Sequence, residues 1–182
     1  LQGFVYETPG DGERTVTEIH TEKLDMLKER VDMRSKGPRQ IEGIGNSILV
    51  YFFQHDREML RRVFPMAPAI DGRTNDIEVE QIKGEWDKQK VPVLLANSAS
   101  LNYGLNMQHG GNNIIWYAMT WNAEHLSQLI DRLHRQRQEK PVFIHYLLFR
   151  DTVEETIFQA VVKKNANQRE LLDALRKRHM GE

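Results

Sequence analysis

From Val91 to Ala123 the chain runs 33 residues without a single Asp, Glu, Lys or Arg. In a sequence that is 28% charged, a window of that length would hold about nine. Charge is costly in a buried position unless it is paired, so the gap reads as buried strands and the loop between them. The whole chain, 182 residues and 40% hydrophobic, is the size of one ordinary domain and can enclose a real core. Net charge is -1, the sum of an acidic first 90 residues (14 basic, 17 acidic), the neutral window and a mildly basic remainder (11 basic, 9 acidic). That average describes no basic glove for nucleic acid. There is no cysteine, which excludes disulfides and thiolate metal sites and fits an intracellular protein. The longest apolar runs, Ile48 to Phe53 and Ile114 to Met119, are six residues each, against the ~18 that span a bilayer. The opening on Leu1, with no signal-peptide pattern, fits a piece of something longer.

Around the uncharged window, strand-like and helix-like segments alternate. Residues 1–40 read as a leading hairpin and helix. Phe4 to Tyr6, a Pro9 to Gly12 turn and Thr15 to Ile19 make the hairpin, and Leu24, Leu27 and Val31 share one helical face. Ile48 to Phe53 has the length and β-branched character of a buried strand, and Asp56 is expected to cap the helix after it. Met66 to Ile70 is a short strand candidate, Thr74 or Asn75 opens a helix carrying Val79, Ile82 and Trp86, and Val91 to Asn97 is the next strand. Ile114 to Tyr117, a helix capped by Asn122, and a strand over Val142 to Phe149 follow. Thr152 with Glu155 forms a capping-box pattern for a final helical stretch bearing Ile157, Val161, Leu171, Leu172 and Leu175. Strands written as continuous apolar runs and separated by helices predict an α/β fold, a parallel sheet covered on both faces. The expected division is 1–40, a central unit over 41–150 and a helical extension over 151–182.

In such a sheet, ligands bind outside the carboxyl ends of the strands. The loop after Asn97 is rich in small and polar residues, among them Ser98, Ala99, Ser100, Gly104 and Asn106. It could bring amides and hydroxyls to a phosphate, although composition alone favours a polar turn joining two elements. Gln128, Arg132 and Arg135, spaced i, i+4, i+7, are expected on one face of the helix after Asn122, with Asp131 four residues before Arg135 to steer it. Two guanidiniums there could clamp a polyphosphate, although without other information a solvated face of an amphipathic helix with an i, i+4 ion pair is the favoured reading. The seven histidines show no metal-ligand spacing; His145 reads as a core residue, and His55 stands just past a strand end. No Gly-Lys pair and no Asp-Glu pair closing an apolar strand is present, so the usual means of cradling β and γ phosphates with Mg²⁺ is missing from this chain.

Taken in order, these segments resemble a known set. Ser98 to Met107, then Ile114 to Tyr117, Trp121-Asn122 and Gln128 to Gln138, strongly resemble helicase motifs V and VI of Swi/Snf-type superfamily 2 ATPases. Ile48 to Phe53 with Gln54 is similar to motif IV, Ile70-Asp71-Gly72 to the family's Asp-Gly strand end, and Thr152 to Ile157 to its T-V-E-E-x-I helix start. The resemblance covers roughly residues 20 to 165, and its compact form looks most like phage-encoded or prophage-encoded helicases. Two departures stand out: Leu101-Asn102 where the family has two glycines, and Arg137 where it has a Gly before the final Gln of motif VI.

The resemblance implies the second of two RecA-like lobes, with the phosphate loop and most of the grip on ATP and Mg²⁺ on an N-terminal lobe of the same polypeptide. It implies Arg135 as the arginine finger and Arg132 as its partner, with Gly104, Asn106 and Gln128 on the nucleotide side. Fingers elsewhere are worth ~10³ to 10⁵ in rate. Ser98, Ala99 and Ser100 are implied as contacts to a DNA backbone phosphate, and Gln54 and His55 as further contacts to the tracked strand. The expected function is the C-terminal motor lobe of an ATP-dependent translocase/helicase on double-stranded DNA, in the cytoplasm of a bacterium or phage-infected host. The rivals are a non-catalytic nucleic-acid-binding or regulatory module that kept the lobe, and a small-molecule enzyme on a doubly wound sheet, which lacks a cofactor fingerprint.

Overall fold

The computed structural model describes residues 4–7, 15–18, 20–31, 37–100 and 105–162. Elements follow in the order β1 (Phe4–Glu7), β2 (Thr15–Glu18), α1 (Glu22–Glu29), β3 (Ser47–Tyr51), α2 (Gln54–Val63), β4 (Ala69–Ile70), α3 (Asp76–Asp87) and β5 (Val93–Asn97). Then come β6 (Asn113–Trp116), α4 (Ala123–Leu133), β7 (Phe143–Tyr146) and a last helix, α5, over 153–162. The Pro9 to Gly12 turn, Leu101 to Gly104, and Leu171, Leu172 and Leu175 lie outside the described residues.

Five strands form one parallel sheet in the order β4-β5-β3-β6-β7, and β1 pairs with β2 as a separate antiparallel hairpin. β3 is central: Ile48 sits opposite Leu94 of β5 on one side and Ile114 of β6 on the other. Because side chains alternate along a strand, each central strand must be apolar at every position to be covered on both faces. Ile48, Val50, Leu94, Ala96, Ile114 and Trp116 face one core, closed by Val79 and Trp86 of α3, Leu126, Leu129 and Leu133 of α4, and Ile157 and Val161 of α5. Leu49, Tyr51, Val93, Leu95, Ile115 and Tyr117 face the other, closed by Leu24 and Leu27 of α1 and Met59, Leu60 and Val63 of α2. The uncharged window is therefore β5, β6 and their connection, as its composition predicts.

Several boundaries differ from the sequence expectation. β4 is only two residues, and β7 stops at Tyr146 rather than Phe149. As an edge strand β7 has a neighbour on one side only, and the chain beyond it bends to serve α5. Asp56 is not the N-cap of α2. Phe53 holds that place, and Asp56, three residues on, reaches back to accept from the Phe53 N–H (2.8 Å) and the Phe52 N–H (3.3 Å). Asn75 and Asn122 do cap α3 and α4, each accepting through its side chain. At α5 the Thr152 hydroxyl accepts from Glu154 N, while the Glu155 carboxylate takes Asp151 N rather than Thr152 N, so the capping box is displaced by one residue.

The two ends of the lobe are joined by charge. Lys23 of α1 and Glu154 of α5 are buried, and their Nζ and Oε1 atoms are in hydrogen-bond contact. Lys23 also donates to Tyr117 O (3.0 Å), and Glu154 accepts from Phe149 N (2.9 Å), so both charges are satisfied. Burial pulls the Lys23 ammonium below its ordinary pKa, and the bond to Glu154 opposes that pull. Removing one partner strands the other charge. Glu154→Ala should cost about 3–5 kcal/mol, read as a thermal midpoint lower by roughly 10 °C, whereas Lys23→Met with Glu154→Leu should recover most of the loss.

Asp56, fully buried, gives a second test. Burial outweighs its two backbone hydrogen bonds and pushes its carboxyl up from 3.8 to about 6. A raised acid pKa means that the stability this group confers is complete below about pH 4 and is lost as pH rises through about 6. Asp56→Asn, which keeps an accepting oxygen for Phe53 N–H, should leave stability at pH 4 nearly unchanged. At pH 7.5 it should add on the order of 2 kcal/mol in urea unfolding.

Candidate nucleotide and nucleic-acid edges

Parallel strands give the sheet two chemically different edges. At the carboxyl edge, the loop after β5 is fastened to the end of β3: Ser98 N donates to Tyr51 O (3.0 Å) and Asn97 Nδ2 to Phe52 O (2.9 Å). Asn97 Oδ1 in turn accepts from Ala99 N (3.0 Å), which closes a tight local turn. This places Ser98, Ala99 and Ser100 beside Gln54 and His55 at the start of α2. Of the three, Ala99 is exposed, whereas Ser98 and Ser100 are buried and the Ser98 hydroxyl has no hydrogen-bond partner. His55 is largely covered, with Nδ1 3.9 Å from Glu58.

Behind them Asp71, at the end of β4, receives Arg57 (3.2 Å), Tyr51 OH (3.1 Å) and Arg73 N (2.9 Å). Burial, reinforced by the Asp71 charge, raises the Tyr51 phenol well above its ordinary pKa, so it stays a neutral donor. On the same edge Trp121, 63% exposed, stands between β6 and α4. Its exposure is the one cue that separates it from the buried Trp86 and Trp116, and sequence alone does not carry that cue.

The amino edge holds the arginines. α4 ends at Leu133, so Arg135 is not on the helix face with Gln128 and Arg132 but on the turn that follows. There its Nη1 meets Asn106 Oδ1, and not Asp131, which lies back on α4. Gln128 donates to Glu124 (2.9 Å) and is not brought to this pair. Arg132 is half-buried with its Nε unpartnered, and its backbone carbonyl accepts from Met107 N (3.2 Å). Gly104 lies outside the described residues. Residues 135–138 form a turn closed by Gln138 N to Arg135 O (3.0 Å), in which Arg137 takes φ 76°. That is the left-handed region, unfavourable by roughly 1–2 kcal/mol for a residue with a Cβ and free for glycine. Gln138, the final Gln of the motif VI resemblance, to which sequence reasoning gives no role, fixes this turn to residues 108–111 through its side chain.

Residues 105–111 are tied to the core at the amino edge. They lead into β6 along the α3/α4 side of the sheet; Leu105 and Met107 are buried in that core. Trp86 Nε1 donates to Met107 O (2.8 Å), and Gly110 and Gly111 lie so close to the indole that a methyl group on either would overlap it. A cleft of about 650 Å³ opens beside this segment, lined by Asn46, Gln108, Asn112, Arg137, Gln138 and Lys140 among others. No group of three or more metal-ligating side chains occurs among the described residues.

Comparison with known proteins agrees with this architecture. The family model described as "Helicase conserved C-terminal domain" matches residues 22–137. The chain is 32% identical, over 97% of its length, to the protein p41 of Acyrthosiphon pisum secondary endosymbiont phage 1, of which it covers 36%. It is 33% identical over 58% of its length to the helicase swr1 of Schizosaccharomyces pombe, covering 8% of that protein. The C-terminal part of the Fun30 ATPase domain shares its RecA-like fold, with a TM-score of 0.59 and 24% identity over 64% of this chain and 39% of that one. The chain thus spans about a third of its phage relative and under a tenth of swr1. With the parallel sheet, the order of its motifs and the family match in agreement, this chain belongs to the helicase conserved C-terminal domain family, among the Swi/Snf-type helicases.

Proposed function

We propose that this chain is the second motor lobe of an ATP-dependent translocase on double-stranded DNA. In this reading the 41–150 unit is the lobe proper, residues 1–40 lead into it from the ATP-binding lobe of the same polypeptide, and 151–182 extend it. Arg135 is the finger that reaches a γ-phosphate held by the other lobe, and Arg132 supports it. Asn106 shapes the nucleotide side with Gly104, and Gln128 braces the helix behind. At the opposite edge the loop of Ser98, Ala99 and Ser100 meets a DNA backbone phosphate with Gln54 and His55, the exposed Ala99 outermost and the buried Ser98 and Ser100 shaping the loop from within.

The observation that carries this reading is the contact of Arg135 with Asn106. It joins two residues 29 positions apart, one in the motif V resemblance and one in the motif VI resemblance. A guanidinium on a turn and a neutral amide suit a phosphate supplied from outside, since neither competes with its charge. The cations and amides here suit a triphosphate, whose Mg²⁺ this reading assigns to the partner lobe. Closure of the lobes on ATP and reopening after hydrolysis would step the carboxyl edge along DNA. No helix among the described residues is long and apolar enough to cross a membrane, and the place of action is the cytoplasm of a bacterium or infected host.

Two measurements test the assignment. The purified chain alone should show no ATP turnover, and measurable turnover would refute the division of labour between lobes. In the complete polypeptide, Arg135→Ala should lower DNA-stimulated ATP hydrolysis by about 10³-fold while nucleotide still binds. Turnover within a few-fold of the unaltered protein would remove the finger role from Arg135.

A further inference from the structure

We infer that Gln138 is a positioning residue for Arg135: its side-chain amide sets the finger turn against residues 108–111. The inference rests on the reading of Arg135 as the phosphate-facing cation. The turn begins at Arg135 and closes at Gln138, so whatever fixes Gln138 fixes the backbone that carries the guanidinium. Gln138 Nε2 donates to Gln108 O (2.9 Å) and Gly111 O (3.2 Å), with a longer contact to Leu133 O (3.4 Å) at the end of α4. Its Oε1 accepts from Lys140 N (3.1 Å), which holds the amide the right way round.

Four hydrogen bonds therefore bind the arginine region to residues 105–111: Met107 N to Arg132 O, Arg135 to Asn106, and Gln138 to both Gln108 and Gly111. Of these, only the Gln138 bonds act on the far end of the turn. An exposed turn with a side chain left-handed at Arg137 has little reason of its own to keep one shape. One of the carbonyls that Gln138 reaches belongs to Gly111, which packs tightly on the buried Trp86 and against the Asn46 carbonyl. A rigid anchor, a single amide with two donors and a turn with the finger at its other end make a positioning device. It asks for a donor at residue 138, not for bulk or charge.

The test uses the complete polypeptide with DNA-stimulated ATP hydrolysis as the readout. Gln138→Glu keeps the shape and, when ionised, turns acceptors toward three carbonyls. At pH 8 it should lower kcat by about 100-fold, the scale of a misplacement of about 1 Å, with DNA affinity and thermal midpoint close to those of the unaltered protein. Protonation restores one donor, so the rate of this variant relative to the unaltered protein should rise several-fold as pH falls from 8 to 6. Gln138→Leu, with nothing to protonate, should be as slow and show no such rise. Both variants keeping full kcat while Arg135→Ala is inactive would overturn the positioning role and leave the finger standing. Losses of kcat that merely track losses in midpoint and DNA affinity would overturn it as well. An active Arg135→Ala would remove the finger reading, and this one with it.

Discussion

The packing of Gly110 and Gly111 onto the indole of Trp86 is the contact on which the rest of this lobe depends. Trp86 is fully buried, and its one polar atom is used up on Met107 O. A ring of that size in a core is worth several kcal/mol, so its position is fixed by the sheet beneath it and not by the segment above. The segment must instead adapt to the ring, and it does so by having no side chain where the ring is. This close approach brings residues 105–111 down to the amino edge in one register. β6 then starts beside β3, and Arg132 O, Asn106 and Gln108 O fall where the end of α4 meets them.

The fold was largely legible because its strands are buried on both faces. Ile48 to Tyr51, Val93 to Ala96 and Ile114 to Trp116 are apolar at consecutive positions, a pattern that solvent-facing sheets do not need. The caps at Asn75 and Asn122 were legible for a similar reason: an amide before an amphipathic run accepts the orphan N–H groups of the first turn. What was not legible depended on neighbours distant in sequence. Phe53 caps α2 because Asp56 turns back to its amide, and the environment of Asp56 includes Lys23 and Glu154 from the two ends of the chain. β7 stops early because it has one neighbour, a fact of topology rather than of Val142 to Phe149 themselves.

The candidate site divides in the same way. Helical spacing aligns Gln128, Arg132 and Arg135, and that alignment holds only while the helix lasts. The His134 N–H still bonds Ile130 O, but Arg135 N turns to Leu133 O, and from there the chain is no longer helical. Arg135 therefore leaves the stripe and meets Asn106, a partner that no local periodicity could have named. Likewise Ser98 and Ser100 read as exposed hydroxyls in a polar loop, whereas β5 pairing carries them under the end of β3 and leaves Ala99 outside. The resemblance to a motif fixes the order of such residues along the chain; only the packing fixes which atoms are outward.

The identity of the group facing Arg135 also bears on how such a lobe can wait for a ligand. Had the guanidinium paired with Asp131, any incoming phosphate would have to displace a carboxylate, and the charge-assisted bond gained would be offset by one lost. Asn106 presents a neutral oxygen, so the exchange of amide for phosphate adds an ionic interaction without breaking another. Along the same cleft Gln108, Asn46 and Asn112 are neutral, and its one acid, Glu139, is outnumbered by Arg137 and Lys140. A net charge of -1 for the chain is compatible with this arrangement because charges pair off elsewhere, as at Lys83 with Asp87 and Lys88 with Glu85. Neutrality overall and local cationic character are then two aspects of one distribution, in which the uncharged window separates the acidic first part of the chain from the turn that presents Arg135.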